Sequence, residues 1–168
     1  MSPRYGVVGP PGAGKTTVSE LLAARLGLPF RDVDADVVAL AGKPISDIFP
    51  DDGEAVFRAL EEEAVAKALV EHEGVLALGG GAVLSATTRE RLREHTVVFL
   101  NVGMAEGVRR TGMSSARPLL SVLNPRATFK ALLDARLPLY REVATIEVLT
   151  DALDPEQVTD AVIKGAEQ

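Results

Sequence analysis

The stretch Gly9-Pro10-Pro11-Gly12-Ala13-Gly14-Lys15-Thr16-Thr17 constrains this chain more than any other. It lies between a short apolar run, Tyr5-Gly6-Val7-Val8, and a segment with helical spacing, Val18 to Leu26. The pattern is G-x-x-x-x-G-K-[ST] in the strand–loop–helix setting that it requires. Glycines let successive backbone N–H groups turn inward around an anion, and a Cβ at those positions obstructs the turn. The following helix aims its unpaired N–H groups and the positive end of its dipole at the same point. Gly12, Ala13, Gly14, Lys15, Thr16 and Thr17 are therefore candidate ligands of a nucleoside triphosphate. Lys15 is placed to reach the β- and γ-phosphates, and Thr16 offers a hydroxyl to Mg²⁺.

Beyond this loop, Gly27-Leu28-Pro29 stops the first helix, and Phe30-Arg31-Asp32 is a second strand. Val37 to Ala41 reads as a short helix closed by Gly42, and Ile45 to Pro50 as another helical turn. A long helix follows from about Asp52 to His72, with Val56, Leu60, Ala64, Ala68 and Leu69 near one face. Val75-Leu76-Ala77-Leu78 is the continuous apolar run of a strand buried on both faces, and Gly79-Gly80-Gly81 follows at once. Ser85 to Arg93 is predicted helix, Thr96 to Leu100 strand, Ala105 to Thr111 helix, Pro125 to Tyr140 helix and Thr145 to Leu149 strand. Pro155 opens a terminal helix where proline is favoured. Strands alternating with helices predict an α/β fold with a parallel sheet and right-handed crossovers. Ligands in such sheets collect at the carboxyl ends of the strands. The first loop, Asp32 and Asp34, and the triple glycine each follow a predicted strand, so the topology puts them on one rim.

Composition narrows the class of partner. A chain of 168 residues, 46% hydrophobic and 25% charged, fits one domain spanning 1–168 around one core. A net charge of −6 argues against a general nucleic-acid binder, whose footprint is a basic face. The absence of cysteine excludes disulfides and thiolate metal sites. No apolar run approaches the ~18 residues that span a bilayer, and no secretory apolar segment precedes the first strand, so the expectation is a cytoplasmic protein without a membrane partner. No coiled-coil stripe is present, and a monomer is expected.

Several side chains join the rim. Carboxylates beside a phosphate site are repulsive unless they hold Mg²⁺ or take a proton from an acceptor hydroxyl, the roles open to Asp32 and Asp34. Asp34 or Asp36 serves equally as N-cap of the Val37 helix. Three glycines leaving a buried strand imply a sharp turn or close approach to a ligand. Arg58, with Glu61 and Glu62 at i+3 and i+4, reads from spacing as a surface ion pair worth ~0.3–0.5 kcal/mol. Arg136 sits among apolar residues and offers a planar fork to a carboxylate. The stretch 112–124, rich in small residues, reads as a mobile lid delivering Arg117 to a transferring group, or as a plain connection with a solvated arginine. His72 and His95 read as structural, near helix ends where a cation suits the dipole.

Laid out in order, these features resemble the shikimate kinases nearly end to end. The resemblance rests on Gly9 to Thr17; Leu26-Gly27-Leu28-Pro29-Phe30 leading to Asp32-Val33-Asp34; and Gly42-Lys43-Pro44-Ile45-Ser46-Asp47-Ile48-Phe49. It continues through Gly53-Glu54, Phe57-Arg58, Glu61, Leu78 to Val83, Arg117-Pro118-Leu119-Leu120, and Arg136 with Pro138-Leu139-Tyr140. It implies a three-layer P-loop kinase fold with a five-stranded parallel sheet, and transfer of the ATP γ-phosphate to the 3-hydroxyl of shikimate in aromatic amino-acid biosynthesis. Under it Asp34 binds ring hydroxyls and is the base, while Asp32 organises Mg²⁺ with Thr16. Arg58 and Arg136 hold the shikimate carboxylate, and Glu61 orients Arg58. Gly79, Gly80 and Gly81 offer backbone to a ring hydroxyl, and Phe49, Phe57, Pro118 and Leu119 surround the ring. Lys15 and Arg117 act on the phosphate, adenine lies between Arg110 and Pro155, and residues 33–61 form the acceptor-binding region. Val38 departs from the acidic residue common there in the family. The competing readings are another small-molecule kinase of this branch, acting on gluconate or a nucleotide, and a nucleotide-dependent switch.

Overall fold

A computed structural model describes residues 4–111 and 125–167. The stretch 112–124, read above as a lid, lies outside the described residues, and with it Arg117, Pro118 and Leu119. The apolar runs form strands β1 (Tyr5–Val8), β2 (Phe30–Asp32), β3 (Val75–Ala77), β4 (Val97–Asn101) and β5 (Ile146–Leu149). They pair as one parallel sheet in the order β2-β3-β1-β4-β5, with Val7 opposite Ala77 on one side and Val98 on the other. The helices are α1 (Lys15–Leu26), α2 (Val33–Ala41), α3 (Ile45–Asp52), α4 (Glu54–Glu71), α5 (Ala86–Leu92), α6 (Met104–Thr111), α7 (Pro125–Val143) and α8 (Pro155–Ala166). None among the described residues is long and apolar enough to cross a membrane.

Strand alternation divides the core into two layers. Val7, Val75, Val98 and Leu100 face Leu22 of α1, Phe129 of α7, and Val158 and Val162 of α8. Val8, Leu76, Val97 and Phe99 face Val33 and Val37 of α2, Phe57 and Val65 of α4, and Tyr140 of α7. Helix ends follow the sequence signals. Gly27 adopts a left-handed conformation (φ 65°) and its N–H closes on Ala23 and Ala24, while Asp154 and Gln157 cap α8 reciprocally.

Two expectations shift. Helix α2 begins at Val33, earlier than its apolar residues suggest, because the Asp32 side chain accepts the Asp34 N–H at 2.9 Å. The N-cap is therefore Asp32, neither Asp34 nor Asp36. In α4 the buried stripe is Phe57, Glu61, Ala64, Val65, Ala68 and Leu69, and Val56 is 44% exposed. The inward face is thus turned by about one residue from the apolar stripe predicted, bringing a carboxylate inside.

The chain entering β3 touches the chain entering β2. Val75 N–H donates to Pro29 O at 2.9 Å, and a Cβ on Gly74 would collide with that same carbonyl. Gly74→Ala is expected to lower unfolding stability by about 1–3 kcal/mol, read as a lower urea midpoint at unchanged slope. An unshifted midpoint would show that β2 and β3 tolerate a wider approach.

Candidate active site

The first rim loop turns on glycine. Gly14 holds a left-handed conformation (φ 85°) as N-cap of α1, and a Cβ on Gly9 would collide with the Leu100 carbonyl of β4. The loop closes through Ala13 N–H donating to Pro10 O at 3.2 Å, and Lys15 Nζ donates to that carbonyl at 3.1 Å. Lys15 Nζ thus donates to a neutral acceptor of the loop itself, a weaker partner than an anion.

Asp32 divides its carboxylate. Oδ1 accepts from Asp34 N–H at 2.9 Å, and Oδ2 accepts from the Thr16 hydroxyl at 3.4 Å. One side chain therefore fixes the start of α2, and with it Asp34, against the start of α1. Thr16 and Asp32 are hard oxygen donors on adjoining elements. No cluster of three or more His, Asp or Glu gathers into a metal cage among the described residues. That donor set fits Mg²⁺, which uses one or two protein oxygens and completes its shell with phosphate and water.

The triple glycine is where the scattered groups meet. A Cβ on Gly79 would lie 2.7 Å from Glu61 Oε2 and 3.2 Å from Asp34 Oδ1. One on Gly80 would lie 3.3 Å from Pro11 Cδ, 3.4 Å from Gly9 O and 3.6 Å from Arg136 Nη1. One on Gly81 would fall on the Arg58 guanidinium. Arg58 donates to Glu61 Oε1 at 2.8 Å and lies 5.0 Å from the centroid of the Phe57 ring, which packs on Phe49 at 4.8 Å. Glu61 is only 3% exposed and Arg136 6%. Burial pushes the Glu61 carboxyl above its ordinary range, Arg58 pulls it back, the charge of Asp34 raises it further and Arg136 lowers it.

On the other flank of the loop, Arg110 of α6 donates to Gly12 O at 2.9 Å and to Thr150 Oγ1 at 3.1 Å. A cavity of about 340 Å³ opens here between Gly12, Gly14, Thr17, Arg109, Arg110, Leu153 and Pro155. The structure thus brings Lys15, Thr16, Asp32, Asp34, Glu61, Arg58 and Arg136 to one rim, and Arg110 and Pro155 to the neighbouring cavity. Spacing alone reads Arg58 as a surface pair; its partner is buried because Glu61 lies one turn from Phe57 and one from Val65, a signal present in the sequence. Thr150, 1% exposed and anchoring Arg110, carries no sequence signal of its own.

Comparison with known proteins adds an independent line. The family model "Shikimate kinase" matches residues 11–167. A shikimate kinase of Saccharopolyspora erythraea is 68% identical over 98% of this chain and 94% of its own length. One from Salinispora arenicola is 60% identical over 94% of each. A solved shikimate kinase of Acinetobacter baumannii, in complex with shikimate, superposes with a TM-score of 0.92 at 36% identity, covering 98% of this chain and 92% of its own. A Sinorhizobium meliloti gluconokinase, at TM-score 0.56 and 20% identity, shares the fold alone.

The raised Glu61 value has a thermodynamic sign. In the window from about 4.5 up to its native value, the folded chain holds a proton that the unfolded chain has released. The contribution of Glu61 to stability is therefore complete below that window and is lost as pH rises through it. Denaturant titrations from pH 4 to 7 are expected to show this decline in the wild type and its absence in Glu61→Gln; identical pH slopes would place the carboxyl in its ordinary range.

Proposed function

The chain belongs to the shikimate kinase family, and on that premise we propose that the rim at the carboxyl ends of β1, β2 and β3 is its active site. The protein transfers the terminal phosphoryl group of ATP to the 3-hydroxyl of shikimate, a step of aromatic amino-acid biosynthesis. A bond forms between the hydroxyl oxygen and the γ-phosphorus, the bridging β–γ bond breaks, and ADP leaves. Such transfers demand positioning and charge neutralisation more than covalent chemistry.

The observation that carries the reading is the triple glycine, whose missing side chains leave Asp34 and Glu61, the P-loop and Arg136, and Arg58 around one short turn. On the nucleotide side, the N–H groups of Gly12 to Thr17 bind the phosphates, Lys15 exchanges Pro10 O for a phosphate oxygen, and adenine occupies the Arg110–Pro155 cavity. Thr16 and Asp32 would hold Mg²⁺, which when bound would neutralise phosphate charge. On the acceptor side, Arg58 and Arg136 clamp the carboxylate of shikimate, and Glu61 orients Arg58. Phe49 and Phe57 wall the ring. Asp34 accepts the proton of the attacking hydroxyl.

ADP release from ATP and Mg²⁺ is expected to depend on shikimate. Release that is independent of it, or equal with gluconate, would defeat the reading. Asp34→Asn is expected to cut kcat by about 10²–10⁴-fold, the usual worth of a general base, while cooperative unfolding persists. Arg136→Ala is expected to raise the shikimate KM by about 10- to 100-fold, since hydrogen bonds to charged groups are worth roughly 1.5–3 kcal/mol, with the ATP KM unmoved. A KM shift shared by both substrates would take Arg136 out of the acceptor site.

A further inference from the structure

Tyr140 lies on α7, one turn after Arg136, and is fully buried. Its ring stacks on Phe99 of β4, with centroids 4.9 Å apart and planes 24° apart. Its hydroxyl donates to the carbonyl of Gly80. Gly80 is also where the P-loop and Arg136 come closest to the triple glycine, a Cβ there lying 3.3 Å from Pro11 Cδ and 3.6 Å from Arg136 Nη1. One hydroxyl in the core therefore reaches the turn on which the phosphate and acceptor sides meet.

The peptide bond converts that contact into an orientation. A planar trans peptide points its C=O and its N–H in opposite directions. Holding the Gly80 carbonyl toward Tyr140 thus turns the Gly81 N–H the other way. Two glycines in succession have the largest conformational freedom to lose, and no side chain limits their rotation. The restraint has to come from outside the turn, and the Tyr140 hydroxyl supplies it through its bond to the Gly80 carbonyl. Burial pushes the hydroxyl pKa up to about 12, although the positive charge of Arg136 lowers it. The group stays a proton donor throughout the working pH range.

We infer that Tyr140 is a positioning residue for the acceptor, a strut that orients the Gly80–Gly81 peptide, the turn that Arg136 approaches. It touches neither substrate. The inference rests on the proposed placement of shikimate between the triple glycine and Arg136, and it adds a residue outside that placement's own set.

Steady-state kinetics of Tyr140→Phe test it, because the phenyl ring keeps the Phe99 stack and removes only the donor. The expected result is a shikimate KM raised about five-fold, the worth of a typical single hydrogen bond, with the ATP KM and the melting temperature close to wild type. Phe99→Leu is the control. It loosens the same packing without touching the hydroxyl, and is expected to lower the melting temperature while leaving the shikimate KM in place. An unchanged shikimate KM in Tyr140→Phe overturns the inference. So does an equal rise in both variants, or a Tyr140→Phe protein that is unfolded at assay temperature, since each makes the residue purely structural. A wild type that shows no shikimate-dependent turnover fails the earlier reading instead, and the two failures are distinguishable.

Discussion

Two glycine-built turns, Gly9–Gly14 and Gly79–Gly81, come together at the carboxyl ends of adjacent parallel strands, and the site depends on how closely they approach. Parallel pairing of β1 with β3 brings both chains out at the same level, with Leu78 N–H donating to Val7 O at 3.0 Å just before the second turn. A Cβ on Gly80 would sit 3.4 Å from Gly9 O. With Pro11 Cδ at 3.3 Å as well, a Cβ there would be held more tightly than most, and the neighbours would have to give by a few tenths of an ångström. Where the backbone itself forms the wall, peptide groups lie next to the space a ligand fills. On the proposed placement, the two ends of a phosphoryl transfer are thus brought together by sheet register, before any functional side chain is considered.

Charge is distributed around this junction against the sign of the molecule. The chain carries −6 overall, yet Lys15, Arg58, Arg110 and Arg136 lie along the rim and its neighbouring cavity. Two of the acids there are tied into the structure. Asp32 spends one oxygen on the α2 N-terminus and presents the other to Thr16. Glu61 is buried and bound to Arg58 at 2.8 Å. A buried ion pair contributes little net stability because desolvation offsets the attraction, but losing one partner strands the other, so the geometry is stiff. Stiffness suits an arginine that has to meet a planar carboxylate.

What the sequence makes legible follows from how local each determinant is. The P-loop is contiguous and its function resides in its own backbone, so Gly12 to Thr17 are readable from spelling alone. The strands are readable because burial on both faces requires continuous apolar runs such as Val75–Leu78. The start of α2 is not, because Asp32 had two uses, strand end and helix cap, and spelling does not choose between them. Arg58 is misread when only its i,i+3 pairing is counted, and is recovered when Glu61 is placed between Phe57 and Val65 on the buried face of α4. Thr150 and Tyr140 are the extreme cases. Each acts on a residue 40 or 60 positions away, Arg110 and Gly80 respectively, and such contacts exist only after the sheet has formed.

The same division separates affinity for nucleotide from choice of acceptor. A gluconokinase at 20% identity shares this fold, and a shared fold does not by itself fix the acceptor. On the proposed placement, selection falls to Arg58, Arg136 and the groups that orient them. An acceptor lacking a carboxylate would leave Arg136, 6% exposed, as a buried guanidinium without its anionic partner. Sites built to pair a polar group reject analogues that lack it more strongly than apolar pockets reject a change of size, because the unpaired group pays its desolvation in full. Burial of the clamp therefore makes it selective, and on the proposed placement it comes from α4 and the Tyr140 end of α7, which pack in the layer opposite α1. On that placement the clamp and the nucleotide loop belong to different packing layers, and the glycine junction is where they touch.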